Sequence, residues 1–181
     1  MIKLEPKADN VPAFQRLINY KGKIAFGVPR ETAYKNRHDN NDLGKPTYNN
    51  AEILALMERG SIINNLPKRE LLAPVRKKYS QQINKALVDI CKLIMAGKYI
   101  EADEQMERLA LRIENWTKKF FTDSDNNWAP NSPITIHGGW MKNKVTGKPV
   151  YIKGKGSDRP LIDTGSLRQS IKAIYYKEDK Q

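Results

Sequence analysis

The residues of this chain that could do chemistry lie mostly in its last third. Asp163-Thr164-Gly165 follows the apolar Leu161 and Ile162, a setting in which one carboxylate can act with a second to activate water. An aspartyl pair of that kind needs a β-barrel built largely from the chain after this turn, and only 16 residues follow Gly165 here. We therefore expect a structural turn. In such a turn the Asp163 and Thr164 side chains accept hydrogen bonds from backbone N–H groups, and Gly165 supplies conformational freedom.

Other enzyme signatures are incomplete. Lys153-Gly-Lys-Gly-Ser157 is rich in glycine but lacks the spacing of a phosphate-binding loop. His137-Gly-Gly-Trp140 has the form of an oxyanion loop, yet no nucleophile motif accompanies it. Two histidines and one cysteine are too few for a structural zinc site, which takes four ligands. The sequence thus predicts that the protein is not an enzyme and has no catalytic residue, metal or cofactor.

A polar stretch from Thr32 to Asn50 contains one of the two histidines beside two aspartates. Its centre is His38-Asp39-Asn-Asn-Asp42, followed by Gly44 and Pro46. A loop of this length is typical of an arm that contacts a partner, and disorder in the isolated subunit is the alternative. We expect His38, Asp39 and Asp42 to lie in a subunit-contact arm.

A basic segment with aromatic residues among its charges spans residues 137–158 and extends to Arg159. Trp140 and Tyr151 lie within it. Aromatic side chains among basic ones are a pattern of nucleic-acid-binding faces, and lysines without base-reading groups fit non-specific phosphate contact. The segment is expected to project as a hairpin and to contact DNA in a channel or a partner ring. The residues expected to make these contacts are Lys142, Lys144, Lys148, Lys153, Lys155 and Arg159.

Bulk composition agrees with a subunit of an assembly. The formal charge is +12, which favours polyanionic partners, although a solvated basic surface explains it equally well. Hydrophobic residues make up 39% of the chain, a low content for a protein that buries its core alone. The single Cys91 fits a reducing compartment. The chain has neither an apolar run of membrane-spanning length nor a signal-peptide core at its start, so we expect a protein of the cytoplasm or of a particle assembled there.

Two long amphipathic helices dominate the middle of the chain. Apolar residues at spacings of three and four predict one helix over about 74–96 and a second over about 99–121, joined at Gly97 as a helical hairpin. The expected core stripes are Tyr79, Ile83, Leu87, Ile90 and Ile94, then Ala102, Met106, Leu109, Ile113, Trp116 and Phe120.

Shorter elements surround this hairpin. Helical turns are expected over 12–19, over 51–59 after an Asn49 or Asn50 cap, and over 165–170, and strands over 23–28, 134–136, 149–152 and 171–176. The predicted fold class is α+β, with the long helical hairpin packed on a small, mostly antiparallel sheet of three to five strands and with long projecting loops. We expect one domain over residues 1–181, with 32–50 and 137–158 as projecting arms.

Three patches give the chain a family resemblance. The first is the strand Ile24-Ala-Phe-Gly-Val28, and the second is Ala51–Ser61 followed by Leu66-Pro-Lys-Arg-Glu-Leu-Leu-Ala-Pro74. The third joins Trp128-Ala-Pro130 to Lys155-Gly-Ser-Asp-Arg-Pro-Leu-Ile-Asp-Thr-Gly-Ser-Leu-Arg-Gln-Ser-Ile171. In order and spacing they resemble the neck or tail-completion (virion morphogenesis) proteins of tailed bacteriophages over about half the chain. Arg59, at a position usually taken by Phe, and the long 32–50 loop depart from the family pattern.

The resemblance implies a structural virion protein located at the head–tail junction and assembled in the host cytoplasm. Members of this family form a homo-oligomeric ring between the head-closure or connector proteins and the tail terminator, around the channel for double-stranded DNA. Six or twelve copies are both expected possibilities. A stand-alone nucleic-acid-binding protein is the alternative, although the sequence has no helix-turn-helix, RNP or zinc-finger pattern.

Overall fold

The computed structural model describes residues 11–33, 48–62, 66–143, 146–154, 156, 158 and 165–177. The helices are α1 (Val11–Asn19), α2 (Asn50–Arg59), α3 (Leu72–Lys78), α4 (Ser80–Met95), α5 (Tyr99–Phe120), α6 (Pro133–His137) and α7 (Ser166–Ser170). The strands are β1 (Gly22–Gly27), β2 (Gly139–Lys142), β3 (Pro149–Ile152) and β4 (Lys172–Lys177), and short 3-10 turns lie at Arg30–Thr32 and Ser124–Asn126. The fold class is α+β, as predicted.

The chain divides into two compact units. Unit 1 comprises Met1–Gly27, Val75–Trp116 and Lys172–Gln181, and unit 2 comprises Val28–Pro74 and Thr117–Ile171. Each unit is therefore assembled from segments far apart in the sequence. The single domain predicted over residues 1–181 stays a prediction.

Unit 1 contains the predicted helical hairpin. Ile90 and Ile94 of α4 are buried in one cluster with Met106, Leu109 and Ile113 of α5. Each fully buried aliphatic side chain of this kind contributes about 1.5–3 kcal/mol of hydrophobic stabilisation. The α5 stripe is confirmed, whereas Leu87 of the α4 stripe is 38% exposed and the smaller Ala86 packs against the core instead.

A tight turn joins the two helices of unit 1. Gly97 has φ of +78°, the left-handed conformation that ends many helices, and Lys98 N–H donates to Leu93 O at 2.9 Å. This bond satisfies one of the carbonyls at the end of α4 that lack a helical partner. Gly97 therefore ends the first helix, as the sequence predicts.

The sheet of unit 1 closes over the helical hairpin. Strands β1 and β4 pair antiparallel, with Ile24 opposite Tyr175 and Phe26 opposite Ala173. Ile24, Phe26 and Tyr175 pack against the helix cluster, and Ala173 is part of it. Strands predicted at residues 23–28 and 171–176 are thus confirmed, and their pairing brings the two ends of the described chain together.

The first long helix begins earlier than predicted and is interrupted. Helix α3 begins at Leu72, so Pro74 lies in its first turn, where an N–H group would have no helical partner. The helical run breaks at Tyr79, whose φ and ψ are −102° and 15°. Its ring stacks on Trp116 with centroids 4.5 Å apart. Tyr79 N–H still donates to Val75 O at 3.1 Å and Ile83 N–H to Tyr79 O at 2.9 Å, so backbone hydrogen bonding continues across this departure.

Hydrogen bonds between side chains and backbone groups connect the elements of unit 2. Asn49 forms a capping box with Glu52 at the start of α2, which confirms the predicted cap. At the other end of α2, Glu58 Oε1 accepts hydrogen bonds from the Leu71 and Leu72 N–H groups at 2.8 and 2.9 Å. These contacts hold the extended segment before α3 against α2.

One strand prediction and the predicted single sheet need correction. Residues 134–136 are helical in α6, because Pro133 at the first turn favours a helix start and Gly138 ends it. The strand that pairs with β3 is β2, from Gly139 to Lys142. Among the described strands there is no single sheet of three to five members. They form two separate antiparallel pairs, β1 with β4 and β2 with β3.

Candidate functional site

The structure describes four of the predicted site residues. Lys142, Lys148 and Lys153 lie on or beside the β2–β3 hairpin, and Gly165 precedes α7. The other predicted site residues lie outside the described part of the chain: His38, Asp39, Asp42, Lys144, Lys155, Arg159, Asp163 and Thr164. The predicted 32–50 arm therefore stays a prediction, and the geometry of the candidate site comes from the hairpin.

Strand register and the alternation of exposure place four side chains of the hairpin on one face. Trp140 pairs directly with Tyr151, and Lys142 lies two residues further along β2. Lys153 lies two residues beyond Tyr151, just after β3. Side chains alternate between the faces of a strand, and directly paired residues share a face, so Trp140, Lys142 and Tyr151 share one face. Exposed and half-buried residues alternate along β3, and the exposed Lys153 continues this alternation one residue past its end. We call Trp140, Lys142, Tyr151 and Lys153 the lysine–aromatic face.

Both aromatic rings of this face are open to solvent. Trp140 is 71% exposed and Tyr151 is 58% exposed. The rings meet edge to face, with centroids 5.4 Å apart and planes at 66°. The two rings have four faces in total, and in this arrangement the edge of one ring covers only one of them. The pair is therefore pre-ordered by the hairpin and keeps most of its π surface available.

The lysines of the hairpin differ from many lysines elsewhere in the chain. Lys68, Lys92, Lys98, Lys172 and Lys177 each pair with a carboxylate. Among the residues that the structure describes, no carboxylate forms an ion pair with Lys142, Lys148 or Lys153. The hairpin thus presents positive charge that the described part of the protein leaves uncompensated.

A close contact between two glycines fixes the base of the hairpin. A Cβ atom added to Gly154 would lie 2.5 Å from Gly138 N and 2.6 Å from Ile136 O. The reverse change at Gly138 would bring a Cβ to 2.7 Å from Gly154 N, and Gly138 also has φ of +77°. Only glycine fits at either position without moving the backbone. The sequence pattern His137-Gly-Gly thus has a structural explanation.

We expect Gly154→Ala to distort the hairpin, because its Cβ would overlap backbone atoms. The exciton band of the Trp140–Tyr151 pair in far-ultraviolet circular dichroism should weaken. Gly147→Ala is the matched control, since a Cβ there meets nothing within 4 Å and the change adds only the strain of a positive φ. An unchanged exciton band in Gly154→Ala would show that the glycine contact does not position the aromatic pair.

Gly165 is the one residue of the predicted Asp163-Thr164-Gly165 turn that the structure describes. Its φ of +75° is left-handed, and its carbonyl accepts from Gln169 N–H at 2.9 Å as α7 begins. Leu167, on the first turn of α7, is buried. The hydrogen bonds expected from Asp163 and Thr164 lie outside the described residues and stay predictions.

Arg69 is a buried charged residue that the sequence did not predict to be functional. Arg69 is 6% exposed, and its guanidinium donates to Ala129 O at 2.9 and 3.1 Å and to Pro130 O at 3.2 Å. Burial lowers the pKa of Arg69, which nevertheless remains protonated at neutral pH. The only sequence signal was the resemblance of residues 66–74 and 128–130 to one family, because a buried arginine cannot be distinguished by pattern from a surface one.

The indole of Trp128 forms a second contact between residues 128–130 and residues 69–70. Its Nε1–H donates to Glu70 O at 2.8 Å. The ring packs edge to face on Phe120 and Phe121, with centroids 6.0 and 5.6 Å away. Burying the indole while bonding its N–H is the arrangement that makes tryptophan stabilising in a core. Residues 128–130 are thus attached to residues 69–70 by both side chains.

A second polar cluster joins three elements of unit 1. Asp103 Oδ1 lies 2.7 Å from the hydroxyls of both Tyr20 and Tyr175, which are 2.7 Å from each other. Lys177 forms an ion pair with Asp103 Oδ2. Each phenol has one proton, so one hydroxyl donates to the carboxylate and the other to the carboxylate or to its neighbour. The cluster connects α5 with β4 and with the chain after α1.

The titration of this cluster follows from its contacts. Burial would raise the pKa of Asp103, but hydrogen bonds from Lys177, Tyr175 and Tyr20 outweigh it and lower that pKa. Burial, together with the hydrogen bond to Asp103, raises the pKa of Tyr175 to about 12. Burial and the hydrogen bonds to Tyr175 and Asp103 raise the pKa of Tyr20 as well. The arrangement stabilises the fold by connecting three elements of unit 1.

Two other kinds of site are absent from the described ranges. No three histidine, cysteine, aspartate or glutamate side chains lie close enough together to hold a metal ion in that part of the chain. Of the helices that the structure describes, none combines the length and the apolar character needed to span a membrane.

Comparisons of the whole chain with known proteins also gave no match. Protein-family models, curated proteins and solved structures were each compared with it, without a match in any of the three. The resemblance to phage neck proteins therefore remains a prediction from the quoted patches.

Proposed function

We propose that this protein is a structural virion subunit that forms a ring at the head–tail junction of a tailed bacteriophage. In this role it is not an enzyme. The ring would connect the head-closure or connector proteins to the tail terminator and would surround the channel for double-stranded DNA. Self-association into six or twelve copies is part of the proposal.

One observation carries this proposal: segments of the second and third neck-like patches are in contact within unit 2. Arg69 and Trp128 connect residues 66–74 to residues 128–130. Glu58 of α2 binds the N–H groups that open α3. Asn50, at the start of α2, lies 3.0 Å from the Ser166 hydroxyl of α7. Segments that lie apart in the sequence but resemble one family thus form one connected structural core. Their contact supports the family resemblance.

The exposed apolar residues supply a second argument, for assembly. On α1, Val11, Phe14 and Ile18 recur at spacings of three and four, and all three are exposed. In unit 2, Ile62 is 96% exposed. A ring with rotational symmetry needs two different surfaces on each subunit, because its contacts are heterologous. Exposed apolar residues on each of the two units are consistent with this requirement.

Quantitative peptide mass spectrometry of purified particles tests the proposal. We expect a fixed stoichiometry of six or twelve copies per particle, measured against the portal and the major capsid protein of the same sample. Absence from particles, with abundant protein in the producing cell, would contradict the proposal. Salt-sensitive binding of the isolated protein to duplex DNA would then favour a stand-alone nucleic-acid-binding protein.

A further inference from the structure

We propose that the lysine–aromatic face binds single-stranded nucleic acid, with bases stacked on Trp140 and Tyr151 and phosphates bound by Lys142 and Lys153. The site goes beyond the proposed ring role and does not depend on it. A ring around duplex DNA needs only positive charge toward the phosphates, since paired bases are not available for stacking. Exposed aromatic rings can stack on unpaired bases, which a duplex does not offer.

The geometry fits an unpaired strand because cations flank the aromatic pair on both sides. The β2–β3 register places Lys142 on one side of the Trp140–Tyr151 pair, and Lys153, one residue past the end of β3, lies on the other side. With about 3.4 Å per residue, the two lysine positions are about 14 Å apart along the strand direction. An unpaired strand can place a base on the rings while phosphates on either side of that base lie near the lysines. Basic grooves with stacking platforms bind single strands in this way.

Charge complementarity favours a polyanion over a second copy of this chain. The carboxylates of Asp89, Glu101, Asp103 and Glu104 on α4 and α5 already pair with basic side chains of the same chain. They are therefore partly neutralised before any contact with a neighbour. By contrast, the hairpin lysines have no ion-pair partner among the described residues. An acidic surface of another protein would also complement these lysines and is the competing outcome, which the experiment separates from a polyanionic strand.

Fluorescence anisotropy with labelled oligothymidylate tests the site on the purified full-length protein. Trp140→Phe retains an aromatic face, whereas Trp140→Leu retains only apolar bulk. We expect the Phe variant to bind nearly as the wild type does. The Leu variant should bind about 5- to 150-fold more weakly, because one stacked base contributes about 1–3 kcal/mol. Both changes are on an exposed ring, and unchanged unfolding midpoints check that the fold is intact.

The lysines are tested through the salt dependence of the same binding. Replacing Lys142 and Lys153 together with Ala should lower the magnitude of the slope of log affinity against log salt concentration by about 1.4, because each phosphate contact on a single strand accounts for about 0.7. The double change Lys21→Ala and Lys85→Ala is the matched control, since it removes the same charge from exposed positions outside the hairpin. That control should leave the slope close to the wild-type value.

Two competitors decide between partners. A blunt duplex of the same length and a polyglutamate of similar charge should compete poorly with oligothymidylate. Equal binding of duplex and single strand, or equal binding by the Phe and Leu variants, would overturn base stacking. Stronger competition by polyglutamate would assign the face to an acidic protein partner. None of these outcomes alters the copy number in particles, so the ring proposal stands or fails separately.

Discussion

Replacing Arg69 with Ala is expected to lower the free energy of unfolding by about 3–5 kcal/mol. The change removes a buried guanidinium that donates to Ala129 O and Pro130 O, and it leaves these carbonyls without their charged donor. Hydrogen bonds from charged groups contribute about 1.5–3 kcal/mol each. Residues 128–130 should detach, and Trp128 should become more exposed. Urea unfolding, followed by tryptophan fluorescence, measures both effects.

Two further variants show whether geometry or charge matters at Arg69. Arg69→Lys keeps the charge, but an ammonium group cannot donate to two carbonyls from two separate nitrogen atoms as the guanidinium does. We therefore expect an intermediate loss of unfolding free energy. Lys68→Ala is the matched control: its ion pair with Glu70 is largely exposed, and we expect a loss below about 1 kcal/mol. If Arg69→Ala were no more destabilising than Lys68→Ala, the connection between residues 66–74 and 128–130 would not stabilise unit 2.

Replacing Asp103 with Ala is expected to lower the free energy of unfolding by about 3 kcal/mol at neutral pH. It removes the acceptor of the Tyr20 and Tyr175 hydroxyls and leaves Lys177 without its carboxylate. Asp103→Asn keeps an acceptor oxygen but loses the charge, so its loss should be smaller. Urea midpoints at neutral pH rank the three proteins.

The contribution of Asp103 also predicts a pH dependence. Its pKa is lower in the folded protein than the value of about 3.9 expected in an unfolded chain. The unfolded state therefore binds the proton first as the pH falls. The stabilisation is complete above about pH 5 and is lost as the pH falls through the folded-state pKa. We expect Asp103→Asn to reduce the change in urea midpoint between neutral and acid pH.

Asp89→Asn serves as the control for this pH experiment. Hydrogen bonding and charge attraction from Lys92 lower the pKa of Asp89 too, but that pair is exposed on α4 and is screened by solvent. We expect its pH profile to follow the wild type. A wild-type profile in Asp103→Asn as well would show that the carboxylates responsible for acid sensitivity lie elsewhere.

Sequence alone was sufficient wherever a structure depends on neighbours a few residues away. The α5 stripe, the Gly97 turn and the Asn49 cap follow from helical spacing and from local hydrogen bonding, and all three are confirmed. The α+β class follows from combining such elements. Local rules erred at residues 134–136, because a three-residue apolar alternation fits one helical turn as well as a strand.

Only the tertiary structure decided which distant residues meet. Asp103 is 72 residues from Tyr175 in sequence, and Arg69 is 60 residues from Ala129. The spacing of residues in the sequence contains no signal for such pairs, because these contacts form only after the chain has closed long loops. The hairpin illustrates both levels. Its composition predicted a basic, aromatic segment, whereas the register of β2 with β3 placed Trp140, Tyr151 and Lys142 on one face, since a shift by one residue would reverse every side chain.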